Sequence, residues 1–423
     1  MIFIPFLYFT CLTIFLWRKL KCVNVAMFLS AEYALTGLCA IVCVSMNWLD
    51  GGGIRYTSQD LELNVLPTFI YCLLHTILIL PFALFNPRKV NEISIKHEKL
   101  FDYFAFFLLA VSLLNLYLVL DNIIQVISGG DFATLRSEHY AGDETLAQKK
   151  AKGLPSVLGY FYYFNRTTVL ALPCFFYSLC CLQKSKFFNV ALLFSSLSVP
   201  LSGIVAADRT EMIFYLQSFC LCLCIFHPFI KQYQKRYLRI ILIPLGTIMI
   251  LYIGAVTISR FVDRDQGAQG GAFQYAGQGY LNFCYFFDHC NDKHIHTERM
   301  LPLYNKIIQD EIDYVELRNE ISREQGFFIS IFATYLGDFL CDTGITGMVI
   351  WVVLFLLLEL LTLPKALNDI TFGQVFWYYM LATIPMFGIF YYPYFTWLQV
   401  VCIIICAVMS ILFHYNFVYK SKS

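Results

Sequence analysis

Charge is what this chain has least of. Only 14% of its 423 residues are Asp, Glu, Lys or Arg, whereas soluble domains carry about 25%. The few charges nearly cancel, at net +1, so no bulk field draws the chain to nucleic acid. There is no Cys-x-x-Cys pair among the 16 cysteines, which argues against a thiolate zinc site. Most of these cysteines lie in apolar runs, such as Cys220, Cys222 and Cys224, where a thiol acts as a small hydrophobe. Cys284 and Cys290 sit in a more polar stretch and are candidates for a disulfide. No Walker loop, Gly-x-Ser-x-Gly, His-Glu-x-x-His or dinucleotide fingerprint occurs, so nucleotide-driven chemistry has no support. A reaction on this chain must use a substrate that is already activated. No internal repeat or matching pair of halves is visible, which weakens a transporter reading. No basic segment precedes the first apolar run, so Ile2 to Trp17 reads as a retained helix.

What the chain has is hydrophobic length. Hydrophobic residues make up 59% of it, in runs long enough to cross a bilayer at roughly 20 residues each. The pattern predicts eleven spans, at about 2–17, 24–48, 65–85, 101–127, 155–182, 187–205, 211–230, 240–258, 344–363, 371–391 and 395–415. Alternate connections are short and basic: Arg18, Lys19 and Lys21; Arg88, Lys89, Lys96 and Lys99; Lys184 and Lys186; Lys231, Lys235, Arg236 and Arg239; Lys365; Lys420 and Lys422. The positive-inside rule assigns these to the cytoplasm, with the N-terminus outside and the C-terminus inside. In chain order this gives a bundle over 1–258, an outer module over 259–343 and a second bundle over 344–423. Within the module, the glycine-rich run 266–279 reads as a flexible or close-packed loop. The aromatic stretch 280–290 reads as an interfacial helix, and 306–324 as a surface helix with Ile307, Ile308, Ile312, Val315 and Ile321 on one face.

Against that apolar background the outer-side charges stand out. Asp208, Arg209 and Glu211 lie between two apolar runs with almost no loop joining them. A charge held at membrane depth is costly and marks a candidate site. Arg136, Arg260 and Arg264 also fall on the outer side near span ends, and Arg166 falls within the fifth span. Guanidinium presents a fork of donors suited to phosphate. The plain alternative is a set of salt bridges with Asp208, Glu211, Asp263 and Asp265. Asp338 and Asp342, spaced four apart, share a helix face before the ninth span; they suit a general base, an anchor for arginines or ordinary helix caps. Gly344 and Gly347 beside them permit close helix packing. His289, His294 and His296, with Asp288 and Asp292, suggest zinc only weakly, and a solvated polar loop reads better. His139 follows Arg136 as a possible acid or base. Glu32, His75, Asp121 and Glu359 read as isolated polar sites within spans.

In combination, Ser202-Gly203 leading to Arg209, the run Gly129 to Arg136, a late outer loop, and Asp342-Thr343-Gly344-Ile345-Thr346-Gly347 resemble the Wzy-type oligosaccharide repeat-unit polymerases of O-antigen and capsule synthesis. Arg260 to Gly271 also matches an Arg-x10-Gly pattern of that family. At the first site the family's Ser-Gly-Ser-Arg is interrupted here by Ile204 to Asp208, so Arg209 corresponds by position and residue type. The resemblance implies an all-α polytopic fold of the GT-C type in a bacterial inner membrane. It implies a metal- and nucleotide-independent glycosyltransferase with no cofactor. The substrates would be undecaprenyl-pyrophosphate-linked oligosaccharides as donor and acceptor, and a chain-length regulator protein would be a partner. Arg136, Arg166, Arg209, Arg260 and Arg264 would bind pyrophosphate, and Asp342 or Asp338 would be the base. An O-antigen ligase, a lipid-linked glycan flippase, or a sensory or scaffolding membrane protein remain as rivals. Phe327 to Asp342 has no histidine of the kind ligases carry there.

Overall fold

The computed structural model describes residues 1–49, 63–128, 163–205, 208–261, 267–289, 294–295, 297–308, 313–325, 328–329, 331–364 and 369–415. They are almost entirely helical. The helices are α1 (Phe3–Leu20), α2 (Val25–Ser45), α3 (Val65–Ile79), α4 (Glu98–Ile127), α5 (Ala171–Tyr177), α6 (Lys186–Ser196), α7 (Ser198–Val205), α8 (Thr210–Phe226), α9 (Gln232–Phe261), α10 (Gly267–His289), α11 (Pro302–Ile308), α12 (Tyr314–Gln325), α13 (Thr334–Thr362), α14 (Phe372–Phe387) and α15 (Trp397–His414). Two three-residue strands, Glu92–Ser94 and Asp369–Thr371, pair in parallel.

Among the described residues nine helical segments are long and apolar enough to cross a membrane. The chain is an all-α protein of polytopic membrane character. Two of the eleven expected spans are not among the nine. The described part of 155–182 is broken into a 3-10 turn at Phe164–Leu170, the short α5 and a π turn at Ser178–Leu182. Polar Asn165, Arg166 and Thr167 open that segment. The segment at 371–391 forms α14, which is 16 residues long and carries Pro385 near its end. The outward faces are apolar, as a lipid solvent demands: Ile240, Ile243, Ile250 and Leu251 of α9 are each more than 60% exposed.

The chain divides into two compact units, each drawn from distant stretches. The first comprises Met1–Asn86, Thr257–Leu363 and Leu381–Val400; the second comprises Pro87–Val256, Pro364–Met380 and Val401–Ser423. The boundary in the middle of the chain falls inside α9.

The first unit is built on α1, α2, α3, α10 and α13. The run 266–279, expected as a loop, is instead the start of α10 from Gly267 on, and the aromatic stretch expected at an interface completes the same helix. Tyr280, Leu281, Phe283, Cys284 and Phe286 are buried, so that stretch is core rather than surface. Glycine makes this close approach possible. A Cβ on Gly277 would stand 2.5 Å from the Ala40 backbone nitrogen, and one on Gly279 would stand 2.7 Å from the Ile389 carbonyl oxygen. Rings from three helices, α2, α3 and α13, close the core around His75. His75 lies 4.4 Å from Tyr33, 4.3 Å from Tyr71 and 4.9 Å from Tyr335 between ring centroids. The surface helix expected at 306–324 appears as α11 and α12, with Ile307 and Ile308 exposed and Ile321 buried.

Helix α13 is not straight. Gly344 has φ 70° and ψ −177°, a backbone region essentially confined to glycine. Phe339 and Phe355 stack at 5.9 Å. In a straight helix 16 residues would separate them by about 24 Å, so the halves 334–343 and 345–362 fold back on each other. The second half coincides with the span expected at 344–363. The first half is a short helix whose two aspartates turn inward.

The second unit packs α4, α5, α6, α7 and α8 around another aromatic core. Tyr177 stacks on Phe372 at 4.1 Å, and Phe372 meets Phe413 at 5.5 Å. The strand pair at one end ties Ile93 to Ile370, and the Tyr177 hydroxyl donates to the Ile93 carbonyl at 3.2 Å.

Candidate functional site

In the second unit the α7–α8 junction carries the charges singled out in the sequence. Helix α7 ends at Val205 and α8 begins at Thr210. Asp208 closes the turn: its backbone N–H donates to the Gly203 carbonyl at 2.9 Å, and its carboxylate accepts from the Thr210 N–H at 2.9 Å. Arg209, next in line, is only 2% exposed. Gly203 admits this turn, because a Cβ there would stand 3.1 Å from the Glu211 side chain.

Glu211 forms an ion pair with Arg166. Arg166 is 39% exposed, so the pair contributes at most about 1 kcal/mol. Its effect is to hold Arg166 beside the first turn of α8. Asn165 next to it joins a buried polar ladder. The Ser198 hydroxyl donates to Asn165 Oδ1 at 2.7 Å, Asn165 Nδ2 donates to Ser202 Oγ at 3.0 Å, and Asn115 Nδ2 reaches Ser202 Oγ at 2.9 Å. Buried hydrogen bonds of this kind fix the register of α4, α7 and the 164–170 turn. Arg166 and Arg209 are therefore brought to one end of the same unit. The part of this chemistry that Asn165-Arg166-Thr167 supplies is structural polarity at a span end.

Arg136 and Arg264 lie outside the described residues, as do His139 and His296. Arg260 closes the last turn of α9 and belongs to the first unit. It is half-buried. Phe261, its neighbour, packs against Gly271 of α10.

The second cluster, in the first unit, centres on a residue the sequence reading did not select. Arg299 is buried and forms an ion pair with Asp338. Its Nη2 also donates to the Ile329 carbonyl at 3.3 Å. Asp338 Oδ2 accepts from the Tyr392 N–H at 2.6 Å. Asp342 Oδ2 accepts from two successive backbone N–H groups, Arg299 and Met300, both at 2.8 Å. The Ile295 N–H meets the Cys341 carbonyl at 3.1 Å. The two aspartates thus share a helix face as their spacing predicts, and that face holds Arg299 and Met300. Burial alone would pull the Arg299 guanidinium down; Asp338, Asp342 and Glu298 outweigh it and hold it above its ordinary value. Burial pushes the Glu298 carboxyl up, against Arg318 at 2.8 Å and Arg299, which pull it down.

The two aspartates differ in what they have left. Both Asp338 oxygens are engaged. Asp342 Oδ1 makes no hydrogen bond among the described residues. A proton acceptor needs an open lone pair; each Asp338 oxygen already accepts one bond, whereas Asp342 keeps one whole oxygen without any. His294 stands against the fold-back, and a Cβ on Gly344 would lie 2.7 Å from its Nε2. His289 is exposed and stacks on Tyr285 at 4.1 Å. Cys284 is a buried free thiol, and Cys290 lies outside the described residues.

His75 and Glu359, read as isolated in the sequence, both approach Tyr335. The His75 ring is 4.9 Å from it, and Glu359 is buried in the half of α13 that folds back towards it. The reason is the fold-back at Gly344, which returns residue 359 towards residue 335.

Compared with protein-family models, with curated proteins and with solved structures, the chain matches none. The functional reading therefore stands on these side chains and on the short motifs that carry them.

Proposed function

We propose that this protein is a membrane glycosyltransferase that joins polyprenyl-pyrophosphate-linked oligosaccharide repeat units on the outer face of a bacterial inner membrane. The observation that carries the reading is Arg209, a guanidinium 2% exposed at the joint between two apolar helices. An arginine at a helix N-terminus favours an anionic, phosphate-like ligand, and Arg166 stands at the same end of the unit. The acceptor sugar hydroxyl attacks the anomeric carbon of the donor. The bond from that carbon to the pyrophosphate breaks, and the lipid pyrophosphate leaves with the electron pair. Fixed guanidinium charge stabilises that leaving group as its charge develops. The family resemblance would make Asp342 or Asp338 the base for the hydroxyl proton; within the first unit Asp342 has one carboxylate oxygen unbonded, and Asp338 pairs with Arg299. The resemblance would add Arg136, Arg260 and Arg264 as pyrophosphate ligands, and a chain-length regulator as the protein partner.

Deletion of the gene, followed by electrophoresis of surface glycan, tests it. The expected pattern is single repeats on the acceptor with no ladder. Arg209→Ala at normal protein level should reproduce that pattern, and Arg209→Lys should restore little of it, because lysine lacks the bidentate fork. A normal ladder with Arg209→Ala removes the residue from the site. One observation favours a second reading, transport of the same lipid-linked glycan. His75, Tyr335 and Glu359 converge in the first unit, and ionisable groups inside a bundle mark pathways in pumps and transporters. In that case deletion leaves no surface repeat at all.

A further inference from the structure

At the opposite end of the second unit from Arg166 and Arg209 lies a cavity of about 330 Å³. Its wall combines three cations, Lys184, Lys186 and Arg236, with Tyr233, Asn189 and the apolar Ile240. Lys184 is already committed to Glu98 at 2.6 Å and Asp102 at 3.0 Å. Burial would lower its ammonium; the two carboxylates outweigh that and raise it. Lys186 and Arg236 form no ion pair among the described residues, and both are exposed. They belong to two different elements, the first turn of α6 and the first turns of α9. Gln234 between them is buried and spent on protein, donating to the Leu179 carbonyl and accepting from the Lys231 N–H. Asn189, 4% exposed, gives its Nδ2 to the Lys184 carbonyl at 3.1 Å, while its Oδ1 is left without a hydrogen bond. The Tyr237 hydroxyl, also in the wall, has none either.

The cavity thus has two characters. One side offers unpaired positive charge and spare hydrogen-bonding capacity; the other continues into the outward apolar face of α9, where Ile240 and Ile243 are 64% and 66% exposed. A free anion would use only the first side. A molecule with a charged phosphodiester head and hydrocarbon tails uses both, and basic pockets between membrane helices are suited to such heads. Snorkelling lysine and arginine stems extend the apolar wall up to the head.

We propose that this cavity is a binding site for an anionic glycerophospholipid, with Lys186 and Arg236 on the phosphodiester, the Asn189–Tyr237 wall beside a hydroxyl-bearing headgroup, and the acyl chains along Ile240 and Ile243. The site is separate from the charges at the α7–α8 junction, since α8 alone spans about 26 Å between the two ends. On the charge-bias reading the lipid belongs to the cytoplasmic leaflet.

Native mass spectrometry of the full chain in detergent tests this with phosphatidylglycerol, phosphatidylcholine and inorganic phosphate as probes. Phosphatidylglycerol should survive as an adduct at roughly tenfold or more the level of phosphatidylcholine, as expected for two cations near one anionic head. The pair Lys186→Gln and Arg236→Gln should erase that preference, whereas Arg18→Gln with Lys19→Gln, basic residues that do not line the cavity, should keep it. Equal retention of the two lipids by the unaltered protein overturns the proposal whatever the variant does. Displacement of the lipid by millimolar inorganic phosphate also overturns it, because the site would then take the anion alone. If the double variant does not fold, Lys186→Gln alone should still reduce the preference, and an unchanged preference counts against the site.

Discussion

At the scale of single residues the strongest constraint is the Arg299–Asp338 pair. Both side chains are at least nine-tenths buried, and breaking such a pair by removing one partner costs about 3–5 kcal/mol. Replacing both with apolar residues of similar size is often neutral. We expect Arg299→Ala to lower thermal stability in detergent strongly, and Arg299→Met combined with Asp338→Leu to recover most of the loss. Equal losses in the single and double variants would mean that Arg299 answers to something other than Asp338. The aspartates were legible from their spacing, and Arg209 from its apolar surroundings. Arg299 was not, because the polar run just before it, from Asp288 to His296, reads as a solvated loop. Only the bonds from Asp338 and Asp342 to Arg299 and Met300 take it out of water, and they join positions 39 to 43 residues apart.

At the scale of elements, glycine decides which helices can touch. Helix α10 meets α2 at Gly277, where a Cβ would be 2.5 Å from backbone that cannot move aside. Gly254 of α9 has nothing within 4 Å. The two positions therefore predict opposite results from the same change. Gly277→Ala should destabilise by about 1–3 kcal/mol through overpacking, whereas Gly254→Ala should be neutral or stabilising by about 0.4–1 kcal/mol. Melting temperatures of the two purified variants provide the comparison, and similar shifts would contradict the close α2–α10 contact. The apolar spans were legible because their runs are long. Helix α10 was not: its glycines and glutamines look like a loop, and the contacts that make it a helix come from a chain segment more than 200 residues earlier. Gly344 was noticed as a small residue for packing, but its positive φ and the fold-back it permits leave no trace in local pattern.

At the scale of the whole molecule, function depends on which side of the membrane each cluster faces. Within the second unit Arg166 and Arg209 occupy one end and Lys184, Lys186 and Arg236 the other, so one orientation fixes both. The bias of short basic connections assigns the lysine end to the cytoplasm, and a lipid-linked sugar polymerised outside the cell requires the arginine end to face outward. Most of the described cysteines are buried, which leaves room for introduced reporters. Lys186→Cys should react with a membrane-impermeant maleimide only after permeabilisation. Glu316→Cys, on the exposed side of α12, should react in intact cells. Reaction of Lys186→Cys in intact cells would turn the arginine end inward. Arg209 would then meet no external pyrophosphate, and the anionic lipid at the lysine end would come from the outer leaflet, so a single labelling result bears on both proposals at once.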